Sequence, residues 1–206
     1  VIYTIDGADS KDFDDAISLE KVGDNYRLGV HIADVSQYVK EDSYLDKEAF
    51  KRGNSYYLQD KVYPMLPKEL SNGICSLNEG VVRLTLSVFM EIDKKGKVVE
   101  HKIEESFIKS KRRLVYDNVS DYLEEGKKHP SLEGLYDSLD MAKELAEILM
   151  KKRYDRGSID FDFKEPEIIT DENGVPIDIL VKDRRIGNKI IEEFMICANE
   201  TVAEEY

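Results

Sequence analysis

Across its 206 residues the sequence holds only two cysteines, Cys75 and Cys197, far apart and without a nearby histidine pair. That scarcity argues against a disulfide framework and against a zinc site, and both thiols read as buried structural groups. No apolar run approaches the roughly 18 residues a membrane-spanning helix needs. No charged leader precedes an apolar stretch as it would in a secretory signal. The expected compartment is therefore the cytoplasm, with no membrane partner. Internal repeats and low-complexity tracts are missing too. Most telling is the shortage of positive charge: 30 Lys and Arg face 43 Asp and Glu, a formal net charge of −13. A polyanionic partner would normally meet the opposite field. Divalent cations can reverse the sign locally, and basic modules elsewhere in a longer protein can carry the polyanion.

What is present fits one folded domain, with 41% hydrophobic and 35% charged residues. The chain opens on the strand-like run Val1 to Ile5 without an initiator Met. It stops within the helical pattern Ile190, Ile191, Phe194, Met195, Ala198, Val202, so a piece of a longer protein is expected. Strands are expected at Val1 to Ile5, Ala16 to Leu19 and Tyr26 to Ala33, with Gly23-Asp24-Asn25 turning between the last two. Ser43 offers a cap for a helix running to Lys51, and Arg52-Gly53 a stop. Tyr56 to Val62 reads as a strand, broken by Pro64-Met65-Leu66-Pro67 before a short helix around Lys68 to Leu70. Alternation from Val82 to Met90 predicts a long strand, and Asp93-Lys94-Lys95-Gly96 a hairpin turn into Val98 to Phe107. Two or three helices follow, the clearest from Leu135 to Lys152, with a stripe of Leu139, Met141, Ala142, Leu145, Ile148 and Leu149. Strands return at Ile159 to Phe163 and Ile177 to Val181, the second after the turn Asp171-Glu172-Asn173-Gly174. Hairpins outnumber strand-helix-strand units, so the expected class is α+β: a mixed, mostly antiparallel sheet with packed helices.

The informative stretch is Asp6-Gly7-Ala8-Asp9-Ser10-Lys11-Asp12-Phe13-Asp14-Asp15, where five carboxylates meet one Lys. Like charges about 4 Å apart repel by several kcal/mol at the intermediate dielectric of a protein surface. A divalent cation would remove that cost. Magnesium suits the composition, because it takes hard oxygen ligands and leaves positions open for phosphate and water. One ion can collect Asp6, Asp12 and Asp15 only if the loop bends, which Gly7 and Ser10 permit. Manganese is a possible substitute. A plain solvated acidic loop is the bland alternative. A calcium loop fails on spacing, since no start gives acids at positions one, three and five with Gly at six and Glu at twelve. An Asp-x-Asp phosphatase nucleophile at Asp12 and Asp14 lacks the preceding apolar strand end but stays open as a phosphomonoesterase reading.

Thr4-Ile5-Asp6, followed after five residues by Asp12-Phe13-Asp14-Asp15-Ala16, resembles the signature of the ribonuclease II and ribonuclease R (RNB) family of processive exoribonucleases. The resemblance continues through His31 to Val35, Arg52 to Leu58, Pro64 to Ser71 and Cys75-Ser76-Leu77. It then runs through Arg156-Gly157-Ser158-Ile159-Asp160-Phe161 to Ile191-Glu192-Glu193-Phe194-Met195. It implies a magnesium-dependent enzyme that hydrolyses single-stranded RNA from its 3′ end to nucleoside 5′-monophosphates, without a small-molecule cofactor. By similarity Asp6, Asp12 and Asp15 would hold magnesium, and Asp14 would act beside the scissile phosphate. Tyr57 and Tyr116 match positions that clamp the last nucleotides, and Glu193 an acid near the RNA. The resemblance further implies that residues 1 to 206 are the N-terminal portion of a single catalytic domain. The remainder, which supplies an arginine to the phosphate, and the flanking RNA-binding modules would lie outside the chain. The fragment would then bind metal yet be feebly active or inactive, and a non-catalytic RNA-binding or scaffold module is the alternative. Two basic runs, Lys109 to Arg113 and Lys182 to Arg185, are candidates for phosphate contacts or simply solvated surface.

Overall fold

The computed structural model describes residues 1–58, 61–159, 165–171, 175–182 and 184–206. In chain order the elements are β1 (Ile2–Asp6), β2 (Asp15–Val22), β3 (Asn25–Ala33), α1 (Tyr44–Arg52), β4 (Tyr56–Tyr57) and β5 (Val62–Tyr63). There follow β6 (Val82–Ile92), β7 (Val98–Lys109), β8 (Arg112–Val115), α2 (Tyr116–Glu125) and α3 (Tyr136–Asp155). Last come β9 (Glu165–Thr170), β10 (Pro176–Lys182) and α4 (Ile186–Glu205).

Six strands form one sheet in the order β7-β6-β3-β2-β1-β8. All neighbours run antiparallel except β1 and β8, which run parallel. The β6–β7 hairpin shows how local chemistry sets register. The Asp93 carboxylate accepts from the backbone N–H groups of Lys95 at 2.8 Å and Lys97 at 2.9 Å. Gly96 takes the φ of +76° that closes the turn, a conformation costly for any residue with a Cβ.

The period-2 alternation of the strands gives the sheet two different faces. One presents Tyr3, Ile5, Ile17, Leu28, Val30, Val88 and Met90 to the apolar stripes of α2, α3 and α4. Leu139, Ala142, Leu145 and Leu149 of α3 are buried there, while Met141 and Ile148 pack at its margin. Each fully buried Leu, Ile or Phe contributes about 1.5–3 kcal/mol. The other face is polar near its middle: His31 hydrogen-bonds Ser18 at 3.1 Å and Ser87 at 2.7 Å, and Ser106 joins Ser87 at 2.6 Å and Thr85 at 2.7 Å. Burial lowers the His31 pKa to about 4, so the imidazole is neutral between its hydroxyl partners. Beside it lies a smaller apolar cluster of Phe13, Ala16, Ala33, Cys75, Leu77 and Ile108. Both cysteines are buried free thiols.

The α+β reading of the sequence holds, with local differences. The run from Tyr56 to Val62 is not one strand but the short ribbon β4–β5, closed by Leu58 N–H donating to the Lys61 carbonyl at 2.8 Å. The short helix near Lys68 is one π-type turn, Glu69–Ile74, whose end Arg83 tethers by donating to the Gly73 and Ser76 carbonyls at 3.0 and 2.9 Å. Of the expected strand from Ile159 to Phe163 only Ile159 is described, outside any strand, and residues 160–163, like Glu172 to Gly174 of the expected turn, lie outside the described residues, which show β9 paired antiparallel with β10.

Candidate active site

The acidic loop, residues 7–14, joins the end of β1 to the start of β2 at one end of the sheet. Asp6 closes β1 and Asp15 opens β2, so the pairing of these strands brings the two carboxylates together. The chain reverses where the Ser10 N–H donates to the Gly7 carbonyl at 3.2 Å. Its deep anchor is Phe13, only 4% exposed. The Phe13 N–H donates to Ser76 Oγ at 3.0 Å, its carbonyl accepts from the Leu77 N–H at 2.8 Å, and Ser76 Oγ donates to the Lys11 carbonyl at 2.9 Å. The Asp14 carbonyl accepts from the Ala33 N–H at 2.9 Å. The backbone is therefore fixed on both sides of Asp12 and Asp14, which frees their side chains for the surface. Because β8 runs parallel to β1 with Asp6 opposite Val115, Tyr116 at the head of α2 stands beside the same carboxylates.

The electrostatics are strained. Burial, the Asp15 charge and the Asp14 charge raise the Asp6 pKa to about 7, against the lowering effect of Arg113. Burial and then Asp14 raise Asp15 to about 6. Asp14 is shifted upward by desolvation and then by Asp12. Burial, followed by Asp6 and Asp15, pushes the Tyr116 hydroxyl above its usual range, so it stays protonated. Asp6 Oδ2 and Asp15 Oδ2 are both buried without a hydrogen-bond partner. Asp12 points elsewhere: its Oδ2 accepts from the Tyr57 hydroxyl at 2.9 Å. Among the described residues, no three His, Cys, Asp or Glu side chains are gathered as a ready metal-binding group.

A divalent cation nevertheless fits the donors present. Two orphaned carboxylate oxygens that repel each other in a partly desolvated corner are hard ligands, and magnesium is commonly held by one or two carboxylates with waters and phosphate completing its shell. Beside the loop runs a cleft of about 610 Å³ lined by Gly7, Lys11, Asp12, Tyr57, Lys68 and Asn72, among others. Its far wall is the β4–β5 ribbon, where Tyr57 is 67% exposed.

The RNB domain model matches residues 1–206, the whole chain. This chain belongs to the RNB family. Ribonuclease R of Thermotoga maritima is 58% identical over 206 residues, and Ribonuclease R 2 of Lactococcus lactis subsp. lactis 51% identical over 212. Those alignments take in 99% and 100% of this chain but only 29% and 32% of the relatives. A structure of Mycoplasma genitalium RNase R in complex with ribose-methylated single-stranded RNA superposes with a TM-score of 0.93 at 37% identity. That superposition covers 98% of this chain and 32% of the other.

Within this RNB chain the candidate residues fall into two places. Asp6, Asp12, Asp14, Asp15, Tyr57 and Tyr116 gather around the loop. Glu193 sits on the inner side of α4, 2% exposed, gripped by Arg153 of α3, whose Nε donates to Oε1 at 3.0 Å. A carboxylate so engaged is part of the α3–α4 seam. The basic runs are largely committed as well: Arg112 pairs with Glu79 at 3.6 Å, and Arg185 with Asp121 at 2.7 Å and Glu124 at 2.8 Å. Asp183, within the second run, lies outside the described residues. What sequence reasoning missed is that Ser76, read only as part of a motif, and Arg113, read as a phosphate-contact candidate, shape the loop. The available signal for Ser76 was Phe13, a lone aromatic among acids that had to be buried somewhere.

Proposed function

We propose that this chain forms the carboxylate-bearing, N-terminal portion of the catalytic domain of a magnesium-dependent exoribonuclease. It acts on single-stranded RNA in the 3′-to-5′ direction, in the cytoplasm, and releases nucleoside 5′-monophosphates. The observation that carries the reading is the pair Asp6 and Asp15, whose buried oxygens lack partners at the two ends of the loop that lines the cleft. Asp6 and Asp15 would hold the ion, joined by Asp12 once Tyr57 releases it. The chemistry magnesium supplies in such a site is Lewis-acid polarisation of a phosphate oxygen. Asp14, on the exposed side of the loop and with raised proton affinity, hydrogen-bonds the attacking water and takes its proton as the new P–O bond forms and the bond to the 3′ oxygen breaks. The Tyr57 ring offers a face on which any base can stack, a sequence-tolerant contact. Tyr116 keeps its proton and donates a hydrogen bond near the terminal nucleotide. The length of the ribonuclease R relatives beyond this chain leaves room for the remaining channel.

The test uses the full-length protein and a 5′-labelled oligoribonucleotide with magnesium. A ladder shortening from the 3′ end with monophosphate products is expected, and Asp14→Asn should slow it by about 10²–10⁴-fold, the span of general-base contributions, with RNA affinity retained. Undiminished turnover would remove Asp14 from the reaction. Release of inorganic phosphate from a monoester would favour a phosphomonoesterase. Absence of both hydrolysis and saturable magnesium binding would leave a scaffold.

A further inference from the structure

Arg113 donates its side-chain hydrogen bonds to the backbone of the acidic loop itself. Its Nη2 donates to the carbonyls of Gly7 at 3.1 Å, Ala8 at 2.6 Å and Ser10 at 3.2 Å. The guanidinium lies 5.0 Å from the centroid of the Phe13 ring, the loop's anchor. Its own backbone is pinned: the Arg113 N–H donates to a Glu79 carboxylate oxygen at 2.9 Å, and β8 sets the residue opposite Thr4 of β1. Its Nε is buried without a hydrogen-bond partner, so the side chain reaches the loop through one nitrogen.

Three carbonyl oxygens turned toward one point repel one another, in a loop that already carries five carboxylates and one Lys from Asp6 to Asp15. Left alone, such a loop would open and expose those carbonyls to water. A cation at the focus reverses the balance, through charge-assisted hydrogen bonds stronger than neutral ones. The cation–π contact with Phe13 helps fix the direction from which the cation comes.

We propose that Arg113 is a positioning residue: it holds the Gly7–Ser10 turn closed, and so presents Asp6, Asp12 and Asp14 in one arrangement before a cation or RNA arrives. The inference rests on the exoribonuclease reading for what the loop is held ready to do. Arg113 touches no reacting atom, since the nitrogen that reaches the loop is already bonded there. Groups that orient metal ligands typically change metal affinity or activity by about 10–100-fold when removed.

The experiment compares wild type, R113M and R113K in the full-length protein. Manganese affinity is read by titration calorimetry without RNA, kcat and KM on a labelled oligoribonucleotide, and amide hydrogen exchange at Ser10. R113M is expected to weaken manganese binding and lower kcat by about 10–100-fold, to leave KM nearly unchanged, and to speed Ser10 exchange. R113K keeps a charge but loses the guanidinium's reach to the three carbonyls, and should fall between. A folded R113M with wild-type manganese affinity and Ser10 exchange overturns the assignment. Should R113M fail to fold, R113K decides, and its equality with wild type in both readouts is the overturning result. If wild type itself binds no manganese, the functional reading fails separately. Ser10 exchange then still decides whether Arg113 holds the turn.

Discussion

Asp6→Asn provides the most direct measurement of the stress stored in the loop. In the folded chain the Asp6 pKa is held at about 7 instead of 3.8. At 1.36 kcal/mol per pKa unit, that rise corresponds to about 4 kcal/mol of preference for the neutral form. Asp15, raised from 3.8 to about 6, adds less than its own share, because the two charges act on each other. The direction follows from linkage. A carboxyl whose folded pKa is raised contributes stability that is fully present below its unfolded pKa and is lost as pH rises through the folded value. The metal-free 206-residue chain should therefore lose stability between about pH 4 and pH 7. At pH 8 with chelator, Asp6→Asn removes the ionised member and should raise stability by about 2–4 kcal/mol, or roughly 5–15 °C in Tm for a chain of this size. Magnesium should stabilise wild type at pH 8 and do so far less for the variant. Differential scanning calorimetry at pH 5 and pH 8, with chelator or magnesium, reads all four conditions. Asp9→Asn, which removes one exposed loop charge, controls for net charge. A wild-type Tm indifferent to pH and magnesium, or an Asp6→Asn variant no more stable than Asp9→Asn, would refute the strained-pair argument.

Tyr57 separates ring from hydroxyl. In the full-length protein Tyr57→Ala should weaken single-stranded RNA binding by about 1–3 kcal/mol, the worth of one base–aromatic stack, whereas Tyr57→Phe, which only frees Asp12, should leave affinity close to wild type in fluorescence anisotropy. Equal losses in the two variants would show that the hydroxyl, not the ring, matters. At the α3–α4 seam, Arg153→Met strands the buried Glu193 carboxylate and should cost about 3–5 kcal/mol in urea unfolding. A loss below about 1 kcal/mol would mean that Glu193 finds solvent or another cation.

How much of this was legible in the sequence depends on how far each partner lies along the chain. Local chemistry was readable: Ser43 caps α1 by accepting from the Asp46 N–H at 3.1 Å, and the Asp93–Gly96 turn closes the hairpin where its residue types demanded. Elements that owe their existence to distant partners were not. The four residues of β8 carry two arginines and too little alternation to signal a strand, and they are extended because β1 pairs with them. The same holds within the site. The spacing of the aspartates identified the acidic loop, but nothing local reveals that Asp12 meets a tyrosine 45 positions away, or that Arg113 reaches back 105 positions to Ala8. Glu193 is different, because a signal existed. It falls at helical spacing between Ile190 and Cys197 on the apolar stripe of α4, and a carboxylate there requires a buried cation.

The negative charge excess, which opposes a polyanionic partner at long range, has a structural counterpart in where the arginines are bound. Arg153 serves Glu193, Arg156 pairs with Glu200, Arg185 serves Asp121 and Glu124, Arg112 pairs with Glu79, and Arg113 serves the loop backbone. Each of these cations is used to seat an element or a loop, so little of its field is left to attract a phosphate chain at long range. On the proposed function, this part of an RNB protein would offer instead a local sign reversal, in which uncompensated carboxylates draw a hard cation to the place where a phosphate comes. Selectivity for that place follows from the same arrangement. On that reading a polyanion would be repelled by the acidic surface in general and tolerated where a cation and the exposed Tyr57 ring meet.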